Sequence, residues 1–159
     1  MAKSITVDEI MAKTLVTLRP DMDMGQAINV LLKNKVSGAT VVDHDRKVVG
    51  MLSEKDCLRI FANRAYNSLP SAKVADYMAK EVVTVSPDED LFSVADLFLR
   101  NPFRRLPVVQ DGELVGQVSR RDVLAGSRRI WEESPVKKEW TDSKYIPDEI
   151  RARLDSKKS

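Results

Sequence analysis

The sequence predicts an α+β fold: two β-α-β-β-α repeats packed through their sheets with pseudo-two-fold symmetry. Three observations predict it. The chain overlays on itself, the apolar spacing within each copy switches between strand and helix periods, and one copy is too small to bury an adequate core alone. Residues 7–42 overlie 74–109 at an offset of 67, with 13 of 36 positions identical, among them Met11/Met78, Thr17/Thr84, Pro20/Pro87 and Val41/Val108. One residue is then lost, and the match resumes at an offset of 66 through Gly50/Gly116, Ser53/Ser119, Asp56/Asp122 and Leu58/Leu124. The expected divisions are repeat one at 1–66, repeat two at 67–126 and a partly helical tail at 127–159.

Each element repeats in order. Residues 15–18 and 82–85 are short β-prone runs stopped by Pro20 and Pro87. Apolar residues then fall at Met24, Ala27, Ile28, Leu31 and Leu32, and at Leu91, Val94, Ala95 and Phe98, spacings of three and four that define one buried helix face. Strands follow at 39–42 and 106–109, then polar turns at 43–46 and 110–112. Residues 48–52 and 114–118 close each hairpin, and a second helix opens at Ser53 or Ser119. In the tail, 127–131 is expected to continue the last helix, and Pro147 to start another that runs through Leu154. Trp131 and Trp140 are expected to dock on the body, a dimer mate or a partner protein.

Composition narrows the function. Lys and Arg number 26 against 24 Asp and Glu, a net charge of +2, and residues 1–125 balance at 17 of each sign. Bulk attraction to nucleic acid is therefore not expected. At 43% hydrophobic and 31% charged, the chain reads as a soluble globular protein. One Cys and one His exclude a disulfide framework and a multi-ligand zinc cluster within the chain. No apolar run approaches the ~18 residues of a membrane span, and no signal-type segment follows Met1, so a cytoplasmic location without membrane association is expected. There is no Gly-rich phosphate loop, HExxH, nucleophile elbow or Cys-His pair, and the acids of the Ser-x-x-Asp motifs have no nucleophile to activate. No catalytic or metal-binding residue and no obligatory cofactor is expected: this is a binder and not an enzyme. His44 in its charged turn reads as solvent-exposed, while Cys57, Met11 and Met78 read as core.

The motifs at the second helix of each copy are Gly50-Met51-Leu52-Ser53-Glu54-Lys55-Asp56 and Gly116-Gln117-Val118-Ser119-Arg120-Arg121-Asp122. A Ser before a helix with an acid three residues on is a capping-box pattern. The same physics suits a ligand: first-turn N–H groups attract phosphate, and an ionised Asp accepts hydrogen bonds from a ribose diol. Capping and binding are compatible.

The order Met-x-x-x-x-Val-Thr-Val-x-Pro, amphipathic helix, Leu-Pro-Val-Val and Gly-x-x-Ser-x-x-Asp, met twice, resembles the CBS-domain family (cystathionine β-synthase domains), which pair as Bateman modules. The resemblance covers about residues 4–126, with Ala39-Thr40-Val41 standing where the family usually has Leu-Pro-Val. It implies a regulatory module that binds an adenosine-containing ligand in clefts between the copies and signals occupancy to an unidentified protein partner. AMP, ADP or ATP is expected first, with S-adenosylmethionine or NAD(H) as further candidates, and a homodimer is implied. By the family's pattern, site one combines Ser119, Arg121 and Asp122 with Leu15, Val36, Ser37 and Ala39. Site two combines Ser53, Lys55 and Asp56 with Val82, Phe103, Arg104 and Leu106. Phe103 reads equally as a base-stacking ring or a core aromatic beside Pro102. Arg104 reads as a phosphate ligand, and Arg104 and Arg105 read equally as solvated or paired with the acids at 88–90. Site one is favoured because its small residues leave room for a purine. Two rival readings remain: a ligand-independent dimerisation scaffold, and, ranked lower, a nucleic-acid binder using Arg100, Arg104, Arg105, Arg120 and Arg121.

Overall fold

The computed structural model describes residues 4–62, 72–133 and Ala152. The elements run α1 (Val7–Ile10), β1 (Thr17–Leu18), α2 (Met24–Asn34), β2 (Gly38–Val42), β3 (Val48–Ser53) and α3 (Glu54–Ala62). The second copy follows as α4 (Val74–Tyr77), α5 (Leu91–Arg100), β4 (Arg105–Gln110), β5 (Glu113–Ser119) and α6 (Arg120–Glu133). α6 therefore continues past 126, as the tail's first residues suggest. The helix expected from Pro147 and the docking of Trp140 lie outside the described residues, as does the side chain of Trp131.

The two sheets differ by one strand. In the first, β1 lies parallel to β2, which pairs antiparallel with β3. In the second, β4 and β5 form a two-stranded ladder, and the strand expected at 82–85 shrinks to a single parallel bridge between Val85 and Val108. The Val85 N–H donates to Pro107 O at 3.0 Å and Val109 N–H donates to Val85 O at 2.9 Å. Extending that ladder one step back would require an N–H from Pro107, which has none. The first copy has Thr40 there, and its ladder keeps the Thr17–Thr40 pair.

The copies exchange their leading segments. Ile5 and Val7 are buried in one core with Val85, Leu91, Val94, Phe98, Leu106, Val108, Val118 and Val123, all of the second copy. Val74 is buried in the other, with Leu18, Met24, Ala27, Leu31, Ala39, Val41, Leu52, Cys57 and Ile60 of the first. Main-chain bonds fix the exchange at matching positions. Val7 N–H donates to Glu89 O at 2.9 Å and Leu91 N–H to Ile5 O at 2.8 Å; Val74 N–H donates to Met22 O and Met24 N–H to Ala72 O, both at 2.9 Å. Ala12 then pairs with Gln117 of β5, and Ala79 with Met51 of β3. A core too small for one copy is thus completed by the other.

Helix faces follow the predicted stripe with one correction. Met24, Ala27 and Leu31 of α2 and Leu91, Val94 and Phe98 of α5 are buried. Leu32, expected on the same stripe, is 69% exposed, and its counterpart Leu99 is 85% exposed. One residue beyond Leu31 is a further ~100° around the helix, which carries Leu32 off the face that meets the sheet. Leu58 of α3 and Leu124 of α6 are also outward, at 63% and 70% exposed.

Candidate functional site

Both Ser-x-x-Asp motifs sit where a strand turns directly into a helix, β3 into α3 and β5 into α6. The hydroxyl and N–H of Ser53 both donate to Asp56 Oδ2 at 2.9 Å, and Ser53 Oγ accepts from Asp56 N–H at 3.3 Å. Ser119 and Asp122 repeat this, with N–H and hydroxyl donations of 2.8 and 2.9 Å and a return bond of 3.1 Å. Each motif is a reciprocal cap in which one carboxylate oxygen is engaged. A third first-turn group is taken by the loop that enters the hairpin: Glu54 N–H donates to Ser37 O at 2.9 Å, and Arg120 N–H to Arg104 O at 3.3 Å. The helix starts are therefore less open to phosphate than the motif alone suggests.

The two caps differ in their second oxygen. Asp56 is buried, and its Oδ1 faces Arg59 Nη1 at 3.6 Å. Asp122 is only half-buried, and among the described residues no donor engages its Oδ1. A ribose diol can donate hydrogen bonds to such a free carboxylate oxygen. On this geometry the Asp122 side is the more receptive.

The loops before β2 and β4 meet at the seam between the copies. Lys35, in the left-handed conformation at φ 53°, ends α2 and turns the chain into 36–38. Arg105 reaches across the seam, Nη1 donating to Gly38 O at 2.9 Å and Nη2 to Ser37 Oγ at 2.6 Å. Arg105 faces Ser119 in the β4–β5 ladder, and Gly38 faces Ser53 in β2–β3, so this one side chain links the strand ends that carry both caps. Burial pushes its guanidinium below the usual arginine range and the neighbouring charge of Arg104 adds to this, while Glu54 acts in the opposite direction. It is half-buried and bonded to the loop of the first copy, and among the described residues no ion pair joins it to the acids at 88–90.

The remaining residues of the two predicted sites are placed as follows. Ala39 and Leu106 are buried; Leu15, Val36, Ser37, Val82 and Phe103 are half-buried; Lys55, Arg104 and Arg121 are exposed. Phe103 packs against the second core and Val36 against the first. Main-chain bonds set the loops of Ser37 and Arg104 against the helix of their own copy, and it is Arg105, which the site prediction missed, that ties one copy's loop to the other. An Arg next to a second Arg carries no sequence signal for which one turns inward. Arg100 pairs with Asp96 at 2.8 Å. Apart from these strand ends, an apolar groove of about 270 Å³ lies on the outer face of the first copy, lined by Ile28, Leu31, Leu32, Glu54, Cys57 and Leu58. The Cys57 thiol beside it is buried, and desolvation, with the Asp56 charge, pushes its pKa up. Among the described residues there is no cluster of His, Cys, Asp or Glu able to hold a metal, and no helix is long and apolar enough to cross a membrane.

The sequence profile of the CBS domain matches residues 7–63 and 74–128. The uncharacterized protein MJ1225 of Methanocaldococcus jannaschii is 33% identical over 118 residues, covering 74% of this chain and 41% of that protein. Inosine-5'-monophosphate dehydrogenase of the same organism is 35% identical over 118 residues, covering 74% of this chain but 22% of the enzyme. The chain thus spans less than half the length of these two relatives. Among solved structures, CBSX2 in complex with AMP superposes with a TM-score of 0.70 at 30% identity, covering 79% of this chain and 97% of that one; CBSX2 is a CBS-pair protein of Arabidopsis thaliana.

Proposed function

Because the chain belongs to the CBS-domain family and carries two such domains in tandem, we propose that it is a regulatory module that binds an adenosine-containing ligand between its copies and signals occupancy to a protein partner. The domains of this family are non-catalytic regulatory modules. The observation that carries the ligand reading is the cap at Ser119 and Asp122, which leaves one carboxylate oxygen free for a ribose at the seam. The AMP complex of CBSX2 supports an adenine nucleotide as ligand. AMP, ADP and ATP are the first candidates, with S-adenosylmethionine and NAD(H) next. In this reading Asp122, Ser119 and Arg121 face Ser37, Val36, Ala39 and Leu15 in site one. Site two, around Ser53, Lys55 and Asp56 with Val82, Phe103, Arg104 and Leu106, is weaker because Asp56 is buried against Arg59. We take residues 1–66 and 67–126 as the two repeats and 127–159 as a partly helical tail. Ligand bridging both copies would shift their relative placement by its differential affinity for the two arrangements. The module is proposed to act in the cytoplasm. Thermal-shift titration with AMP, ATP, S-adenosylmethionine and NADH tests the reading: at least one should raise the melting temperature with concentration, and no response to any of the four contradicts it.

The outward leucines favour a homodimer as part of the same proposal. Leu32 and Leu58 in one copy match Leu99 and Leu124 in the other, so each copy carries the same pair of outward leucines. Outward leucines of this kind suit burial against a second copy of the chain. Sedimentation at several concentrations should show dimer dissociation that Leu32→Glu with Leu99→Glu promotes. Association that nucleotide leaves unchanged, in a chain that also binds no nucleotide, would instead favour the scaffold reading.

A further inference from the structure

The apolar groove of the first copy and the equivalent face of the second differ in ways that make them complementary. The groove runs between α2 and α3, with the buried Leu31 and Cys57 as its floor and the exposed Leu32, Leu58 and Glu54 at its rim. The repeat offsets place Leu99, Leu124 and Arg120 at the matching rim positions of α5 and α6. Both leucines are again exposed, but three other positions change. The floor residues become Phe98 and Val123, buried and bulkier. Gly25 becomes Phe92, which is 67% exposed and stands two helical turns before Leu99 on the same side of α5. The rim charge reverses from Glu54 to Arg120. Both of these side chains are exposed, and among the described residues neither has an ion-pair partner. Glu54 acts on Arg105 only through its field. The first copy therefore offers a groove of about 270 Å³ with an acidic rim, and the second offers an aromatic ring and two leucines with a basic rim. An outward Phe beside outward leucines marks an interaction surface.

We propose that two chains associate antiparallel: the α5–α6 face of one chain lies on the α2–α3 groove of the other, twice about a two-fold axis, with Phe92 entering the groove. This rests on the homodimer reading above and fixes its orientation. Charge separates the two ways of pairing the faces. Like copies placed together bring two Glu54 carboxylates into one contact and two Arg120 guanidiniums into the other. Unlike copies placed together bring one of each into both contacts, which removes the repulsion. Shape selects the same arrangement, because the groove and the ring that fills it belong to different copies.

Sedimentation equilibrium of the full chain as wild type, Glu54→Arg, Arg120→Glu and the double variant tests the orientation. Each single reversal sets like charges against each other in both contacts and should raise the dimer dissociation constant about tenfold or more. The double variant, which exchanges the two charges, should return it to near the wild-type value. In a parallel dimer the like-charged contacts are present from the start, so neither single reversal creates new repulsion. Phe92→Ala changes no charge and truncates a ring that is mostly in solvent, and it should weaken association as well. Single reversals that leave a wild-type dimer unchanged, a double variant as weak as the singles, or unchanged association of Phe92→Ala overturns this arrangement while the homodimer reading stands. A wild-type chain that stays monomeric at every concentration removes both.

Discussion

Gly50 lies directly beneath Met78, so that a Cβ on Gly50 would sit 2.5 Å from Met78 Sδ and 2.9 Å from Ala79 O. Gly116 stands in the same relation to Met11, and a Cβ there would approach Ala12 O at 3.1 Å. Each glycine admits the leading segment of the opposite copy onto the hairpin, where Ala79 and Ala12 complete their main-chain pairs with Met51 and Gln117. The glycines are thus required by close approach rather than by a special backbone angle.

Gly50→Ala should destabilise the protein by about 2 kcal/mol, within the range for overpacking a well-packed contact. A methionine tip can swing aside, but the Ala79 carbonyl belongs to backbone held by two hydrogen bonds of 2.9 Å. Gly116→Ala should cost less, because its nearest backbone atom is farther away. Urea denaturation of the two variants checks both the loss and its order.

The exchanged segments predict that a substitution in one copy is felt in the other. Val7 and Val74 are both fully buried, each among residues of the opposite copy. Val7→Ala and Val74→Ala should each remove about 1–2 kcal/mol. Native-state hydrogen exchange should show Val7→Ala weakening amides of α5, β4 and β5, and Val74→Ala those of α2, β2 and β3. Protection lost within the substituted copy alone would contradict the exchange.

Much of this was legible in the sequence and some was not, for definable reasons. The offsets placed α2, α5 and both hairpins, because 3.6- and 2-residue periods survive in each copy. The caps were legible because Ser-x-x-Asp spacing reports a local hydrogen bond. The loss of a strand at 82–85 was in principle legible too, since Pro107 in the neighbouring strand cannot donate. The exchange was not: Val7 and Val74 occupy equivalent positions, and identical local sequence fits either its own core or the other. The direction of Arg105 was equally hidden, because it depends on a seam that exists only once both copies are folded.

Cys57 should be unreactive in the native state. Burial first, and the Asp56 charge second, raise its thiol pKa, so little thiolate forms at neutral pH. The sign follows from linkage: with the folded value above the unfolded one, the stability associated with this group is fully present below the ordinary thiol range. It is lost as pH rises through the raised value. Alkylation by iodoacetamide at pH 7 should be much slower than in urea, and should accelerate only above the ordinary thiol range. Rapid native alkylation at pH 7 would contradict the burial.

Whether Asp122 holds the ribose of an adenine nucleotide is decided by calorimetric titration of AMP into Asp122→Ala and Asp56→Ala. Both substitutions remove the same kind of cap, so their shared loss of stability cancels and the difference isolates the ligand contact. Wild type should bind AMP, and Asp122→Ala should weaken binding about tenfold to a hundredfold, with a smaller effect from Asp56→Ala. A folded Asp122→Ala protein that binds AMP as tightly as wild type would exclude Asp122 as the ribose ligand.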